Sequence, residues 1–167
     1  METDDKRYII PSGARIGHVH LKVSDIERSL KFYCDILGFE ITTRYGNEAA
    51  FISAGGYHHH IGLNVWYSKD ASPAPVHTTG LFHIALLYPT RKDLAYILER
   101  LRSFNIPFSA SDHGVSEAIY INDPDKNGLE LYYDRPELEW PRNADGSIDM
   151  YTKPLDLDNL LEELRMD

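Results

Sequence analysis

The chain alternates between two kinds of hydrophobic pattern, and the alternation occurs twice. Residues 16–24, IGHVHLKVS, change between apolar and polar character at every second position, which is typical of a strand with one buried face. Residues 24–38 then carry apolar side chains at helical spacing and end at Gly38, a common helix stop. Three short strand patterns follow between residues 39 and 67. The first part of the chain therefore predicts the order βαβββ.

The same order returns after a linker. Residues 68–79 are rich in Pro, Ser and Thr and predict an irregular connection. A strand pattern over 81–89, a helix pattern over 90–104 that begins at Thr90, and three strand patterns within 107–134 follow it. We interpret the repetition as an internal duplication. It predicts an α+β fold in which tandem βαβββ modules form one curved mixed sheet around a cavity.

The pattern also divides the chain into regions. Residues 1–13 form an N-terminal arm, and residues 14–136 form a single domain whose modules span about 14–67 and 80–134. Residues 137–167 are a C-terminal extension, predicted to be largely irregular until a short amphipathic helix near its end.

Composition narrows the classes of partner and location. The net charge of −9 argues against a basic nucleic-acid-binding face and against an anionic membrane surface. No apolar run reaches the roughly 20 residues that a membrane span requires, and the charged N-terminus does not have the pattern of a secretory signal. A single cysteine, Cys34, excludes an internal disulfide and a cysteine-rich zinc site. These features predict a cytoplasmic protein.

Three side chains at equivalent places of the two modules suggest a metal site. His18, His83 and Glu130 each occupy the strand face opposite the apolar side chains that would pack against the helices. In a curved sheet built from both modules, all three would point into one cavity. Two imidazoles and one carboxylate with open coordination positions suit Fe(II), and also Mn, Ni, Co or Zn. Each residue alone is more commonly solvated, so the interpretation depends on the duplication.

Longer motifs resemble a known superfamily. The segments GHVHLKVSDIERSLKFYCDILGFE, GLFHIALLYP and DPDKNGLELYYDRP resemble vicinal-oxygen-chelate proteins, which include glyoxalase I, fosfomycin and bleomycin resistance proteins and extradiol ring-cleaving dioxygenases. The resemblance covers roughly residues 14–136. Within the superfamily, AGGYHHHIGLN, TGLFHIALLYPTR and SDHGVSEAIYINDPDKNGLELYYDRP are most similar to catechol 2,3-dioxygenase-type proteins. Those proteins carry a further pair of modules, and this chain resembles their first half.

The resemblance implies roles for six residues. The superfamily's metal ligands fall on His18, His83 and Glu130. In ring-cleaving members, a His-His pair before an apolar strand supplies a distal histidine that acts as an acid and base, and His59-His60 match this pair. Of the two, we choose His60, because it lies on the strand face opposite Ile61 and Leu63. A substrate-binding tyrosine falls on Tyr120, and a neighbouring histidine falls on His113, with a spacing about two residues shorter than usual. The resemblance also implies one divalent metal, with Fe²⁺ first, a small catechol-like aromatic substrate and O2.

Two other functions remain open at this point. One is a different metalloenzyme of the superfamily, of the glyoxalase or thiol-transferase type, in which His60 would be a fourth ligand. The other is a non-catalytic protein that sequesters a small aromatic molecule, as resistance proteins do. In each case we expect a homodimer, because open sheets expose edges and apolar surface that a partner commonly covers.

Overall fold

The computed structural model describes residues 7–165 and contains two βαβββ modules followed by an extension. The first module comprises β1 (Val19–Lys22), α1 (Ile26–Leu30) with a π-helical continuation (Lys31–Ile36), β2 (Glu40–Tyr45), β3 (Ala49–Ser53) and β4 (Ile61–Asn64). The second comprises β5 (Ile84–Leu87), α2 (Arg91–Ser103), β6 (Ser109–Asp112), β7 (Ser116–Asn122) and β8 (Gly128–Asp134). The α+β class and the tandem order are thus confirmed.

The two long helices begin at side-chain caps. Thr90 and Asp93 form a reciprocal capping box at the start of α2, where Thr90 accepts from the Asp93 backbone N–H. For α1, the spacing of Ser24 and Glu27 in the sequence predicts a capping box, but the helix does not begin with one. The cap is Asp25, whose carboxylate accepts from the Arg28 backbone N–H at 2.9 Å. Asp is as good a helix N-cap as Ser, so the spacing alone did not determine which residue is used.

The strands form two sheets rather than one. The first has the order β1-β4-β3-β2, and the second has the order β5-β8-β7-β6 followed by a short ninth strand, β9 (Lys153–Pro154). In each sheet the first and last strands of the module pair in parallel, and the other pairs are antiparallel. Strands β1 and β5 are therefore edge strands of separate sheets. The predicted single curved sheet is not formed, because periodicity identifies strands but not which edges pair.

The modules nevertheless share one hydrophobic core. Its buried side chains come from both modules, with Leu63 in β4 and Leu98 in α2 completely buried. Polar contacts add to this packing around the turn between β7 and β8. The buried Tyr33 hydroxyl donates to Asp123 at 3.0 Å, and the Asp125 carboxylate accepts from the Ser24 backbone N–H at 3.1 Å. Burial, then the charge of Asp123, raises the pKa of Tyr33 well above its usual range.

The extension returns to the second module. It contains a 3-10 turn (Glu137–Glu139), strand β9, helix α3 (Leu157–Glu162) and a second 3-10 turn (Glu163–Arg165). Helix α3 packs on α2 through Leu160, which is completely buried. The predicted terminal helix is confirmed, whereas β9 was not predicted. None of the helices in residues 7–165 is both long and apolar enough to cross a membrane.

Candidate active site

Two predicted site residues meet at the edge of the second sheet. Strands β5 and β8 pair in parallel with Ala85 opposite Glu130, which brings His83, just before β5, beside the Glu130 carboxylate. His83 Nε2 lies 2.9 Å from Glu130 Oε2, and the two side chains are 31% and 14% exposed. A Cβ at Gly128 would overlap the carbonyl oxygen of Phe82 and approach His83 Cβ to 3.2 Å. The glycine therefore permits the close approach that forms this pair.

Tyr120 and His113 extend the pair into a chain of hydrogen bonds. Tyr120 in β7 is directly opposite Glu130 in β8, and its hydroxyl donates to Glu130 Oε1 at 3.0 Å. His113, in the turn between β6 and β7, places Nε2 2.7 Å from the same hydroxyl. Burial, followed by the hydrogen bond and charge of Glu130, raises the pKa of Tyr120 to about 12. The phenol is therefore protonated at neutral pH and can act as a donor.

The other predicted residues lie in the first module. His18 packs against His59 with ring centroids 4.5 Å apart and ring planes tilted by 55°, and His59 also packs edge-on against Phe51 at 5.0 Å. The Nδ1 atoms of His58 and His59 are 2.7 Å apart. Burial, then repulsion from the neighbouring His18, lowers the pKa of His59. The lowered pKa favours the neutral form of the His59 ring.

His60 is fixed by two contacts through one ring nitrogen. Its Nδ1 accepts from the Ala54 backbone N–H at 3.3 Å and lies 3.0 Å from Ser53 Oγ. Because a backbone N–H can only donate, Nδ1 has no proton in this arrangement. The neutral ring then carries its proton on Nε2, which is the atom that can donate to a ligand.

The geometry tests whether these residues could hold a metal. Two ligands at about 2.1 Å and at right angles around one ion lie about 3 Å apart, which matches the separation between His83 Nε2 and Glu130 Oε2. However, no three His, Cys, Asp or Glu side chains between residues 7 and 165 are grouped so that they could hold an ion. His83 Nδ1 is also buried without a hydrogen-bond partner among the described residues, whereas a metal-bound imidazole normally donates its second N–H. The part of the single chain that the structure describes thus brings two of the three predicted ligands together, and the predicted three-residue site is not formed within it.

Comparisons with known proteins identify the superfamily. The model of the Glyoxalase/Bleomycin resistance protein/Dioxygenase superfamily matches residues 15–131, which is well over half of the chain. The chain belongs to this superfamily. It is 38% identical over 159 residues to a catechol-2,3-dioxygenase of Bacillus subtilis, covering 92% of this chain and 53% of that protein. It is 31% identical over 125 residues to biphenyl-2,3-diol 1,2-dioxygenase 3 of Rhodococcus globerulus, covering 72% and 63%.

Solved structures support the same fold. A glyoxalase/dioxygenase from Nostoc punctiforme superposes with a TM-score of 0.63 at 18% identity, covering 77% of this chain and 98% of that one. The likeness concerns the fold alone at this identity. The chain spans about half of the Bacillus protein and less than two thirds of the Rhodococcus protein. The family model and the 38% identical relative confirm the superfamily resemblance inferred from the motifs.

The sequence did not indicate that the C-terminal extension contacts His113. Residues Tyr151 and Thr152 of the extension reach His113: its Nδ1 lies 3.0 Å from the Tyr151 carbonyl oxygen and 3.2 Å from Thr152 Oγ1. A backbone carbonyl leaves no side-chain signal in a sequence, and this part of the extension has no periodic pattern.

Proposed function

We propose that the protein is a metal-dependent extradiol-type dioxygenase that cleaves the ring of a catechol-like aromatic diol with O2. The observation that carries the proposal is the hydrogen-bonded chain from His113 through Tyr120 to Glu130, with His83 beside it. The relative that is 38% identical over most of this chain is named a catechol dioxygenase, which supports the substrate class.

We propose that His18, His83 and Glu130 are the ligands of one divalent metal, with Fe²⁺ first and Mn, Ni, Co or Zn as alternatives. A bound ion of this kind would supply positive charge that favours the deprotonated diol. Since the single chain does not group the three residues, we assign the assembly of the site to a homodimer in which the first module of one copy meets the second module of the other.

Exposed apolar side chains support a partner at these positions. Ile16, Leu81 and Phe82 are 87%, 64% and 88% exposed, and each lies one or two residues before His18 or His83 along the chain. Large apolar side chains so exposed beside a functional site commonly mark an interface. A second copy covering them would bring its own strands to the edges β1 and β5, which are open in each sheet.

The chain's own residues have distinct parts in the proposed reaction. Tyr120, whose raised pKa keeps it protonated, has one proton, which it can turn from Glu130 or His113 toward an oxygen of the diol. His113 holds the Tyr120 hydroxyl in position. His60 presents Nε2–H, so it is the acid that can deliver a proton and, after losing it, the base that recovers one.

The absence of a three-ligand group within residues 7–165 favours one competing function. A superfamily protein that sequesters a small aromatic molecule needs no metal and no acid or base. It would bind the same catechols without turnover, and substitution of His60 would leave the affinity unchanged.

Anaerobic purification, metal analysis and Fe²⁺ loading, followed by catechols and O2, distinguish the two functions. We expect a coloured ring-fission product that forms only with metal and is lost in His60→Ala. The matched control is His77→Ala, because His77 lies exposed in the linker. If the fully metal-loaded dimer binds catechols but converts none of a broad panel, the dioxygenase proposal is refuted and the binding function takes its place.

A further inference from the structure

A short segment of the extension crosses the edge of the second sheet beside His113. Residues 151–154, which we call the strap, include β9, which pairs with β6 through Lys153 opposite Asp112. The Tyr151 backbone N–H also donates to the His113 carbonyl oxygen at 3.3 Å. The strap is therefore attached to the residues that hold the imidazole.

The strap determines which ring nitrogen of His113 carries the proton. The Tyr151 carbonyl oxygen, 3.0 Å from Nδ1, can only accept, so Nδ1 must be the donor. Thr152 Oγ1, 3.2 Å from the same nitrogen, is a second acceptor for this N–H. In the neutral ring, Nε2 then carries a lone pair and faces the Tyr120 hydroxyl at 2.7 Å as an acceptor.

We propose that the strap is a positioning element of the active site, which fixes the tautomer and orientation of His113 and thereby directs the Tyr120 hydroxyl. This inference rests on the proposed function. Tyr120 has one proton and two partners, His113 Nε2 and Glu130 Oε1. An acceptor at Nε2 competes for that proton and leaves the Glu130 oxygen available for a cation. With the opposite tautomer, Nε2–H would face the hydroxyl and Tyr120 could donate only to Glu130.

The strap packs against Gly114 through the Tyr151 ring. The Gly114 φ of +78° favours glycine, and a Cβ there would lie 2.7 Å from the Tyr151 ring and 2.8 Å from Pro141. Gly114→Ala therefore pushes the strap away from His113. Tyr151→Gly gives an independent perturbation, because it removes the ring that packs on Gly114 and loosens the backbone carbonyl.

The tautomer can be read directly in the whole protein. We would label the histidine ring nitrogens with ¹⁵N, record the ring correlations by NMR and assign His113 by their loss in His113→Gln. In the wild type, recorded at a pH at which the ring is neutral, we expect a single tautomer with the proton on Nδ1. In Gly114→Ala and Tyr151→Gly we expect a mixture of tautomers. Thr152→Val, compared with Thr152→Ser, should keep the wild-type tautomer, because the Tyr151 carbonyl remains.

Activity gives the second readout. We expect kcat to fall by at least about 10-fold in Gly114→Ala and Tyr151→Gly. The loss should stay smaller than the roughly 10⁴-fold loss that a wrong histidine tautomer causes in Ser-His-Asp enzymes. Arg142→Ala, in the same extension but bonded to the Gly146 carbonyl instead, should match the wild type in both readouts.

The outcomes separate this inference from the proposed function. A wild-type His113 protonated on Nε2, or a tautomer that is unchanged in both Gly114→Ala and Tyr151→Gly, overturns the role of the strap. If the tautomer responds as expected but even the wild-type protein cleaves no catechol, the strap still positions His113 and the dioxygenase proposal fails.

Discussion

The proposed assembly of a metal site between two copies can be tested with one pair of variants. His18→Ala removes the proposed ligand of the first module, and Glu130→Ala removes a proposed ligand of the second. The two residues lie in different sheets, so each substitution leaves the other module intact. Loss of a direct ligand should weaken metal binding by more than the roughly 100-fold that loss of an outer-sphere partner costs. At the same metal concentration, each homodimeric variant should therefore bind much less metal than the wild type.

The heterodimer of these two variants has a different expectation. If each site combines His18 of one copy with His83 and Glu130 of the other, one of its two sites lacks both substituted ligands and the other is wholly wild type. The heterodimer should then bind about one ion per dimer, against about two for the wild type. If each chain closes its own site, both sites of the heterodimer carry a defect and no ion is bound.

The assay requires only purification and metal analysis. The two variants are co-expressed with different affinity tags, the heterodimer is isolated by sequential capture, and the metal content is measured after Fe²⁺ loading under anaerobic conditions. A heterodimer of His77→Ala with the wild type is the matched control and should bind as the wild type does, since His77 is exposed in the linker. A metal-free heterodimer beside a wild-type dimer that binds metal, or a wild type that sediments as a monomer, would refute assembly between copies.

Three further predictions concern stability, each measured by urea unfolding followed by circular dichroism. Leu160→Ala should lower the free energy of unfolding by about 2–5 kcal/mol, because Leu160 is completely buried between α3 and α2; a loss below about 1 kcal/mol would show that the extension is not part of the folded core. Tyr33→Phe should cost about 1–3 kcal/mol, because it removes a donor to the buried Asp123 carboxylate, and an unchanged stability would contradict the contact. The ion pair with Arg135 is the largest influence on Asp112 and lowers the pKa of that carboxyl below the ordinary 3.8. The stability it contributes is therefore present above pH 4 and is lost as the pH falls through the lowered pKa, so Asp112→Asn should be less stable than the wild type at pH 7, with a difference that shrinks towards pH 2. A difference that grows on acidification would reverse the sign of this linkage.

The local parts of the fold could be predicted because local physics determines them. In β1, His20 and Lys22 are exposed, as the alternation of the sequence predicts. In β8, Leu129 and Leu131 are buried for the same reason. The capping box of α2 was visible at Thr90 because both of its partners lie within one helical turn. Strand β9 could not be predicted: it is two residues long, contains a proline and exists only because β6 offers a free edge.

The same difference between local and long-range contacts explains which part of the site can be predicted from the sequence. His83 and Glu130 meet because β5 and β8 belong to one module, and the pairing of its first and last strands is a consequence of the βαβββ order. Tyr120 joins them for the same reason, since β7 and β8 are consecutive antiparallel strands. His18 belongs to the other sheet, so its distance from these residues depends on how two sheets dock. Within one chain the two modules pack through the shared core, whereas Ile16 and Phe82 stay exposed and are available to a partner in the proposed dimer. Parity therefore predicts which side chains meet within one module, as His83 and Glu130 do, but not which meet between modules; the heterodimer experiment tests whether His18 joins them in the proposed site.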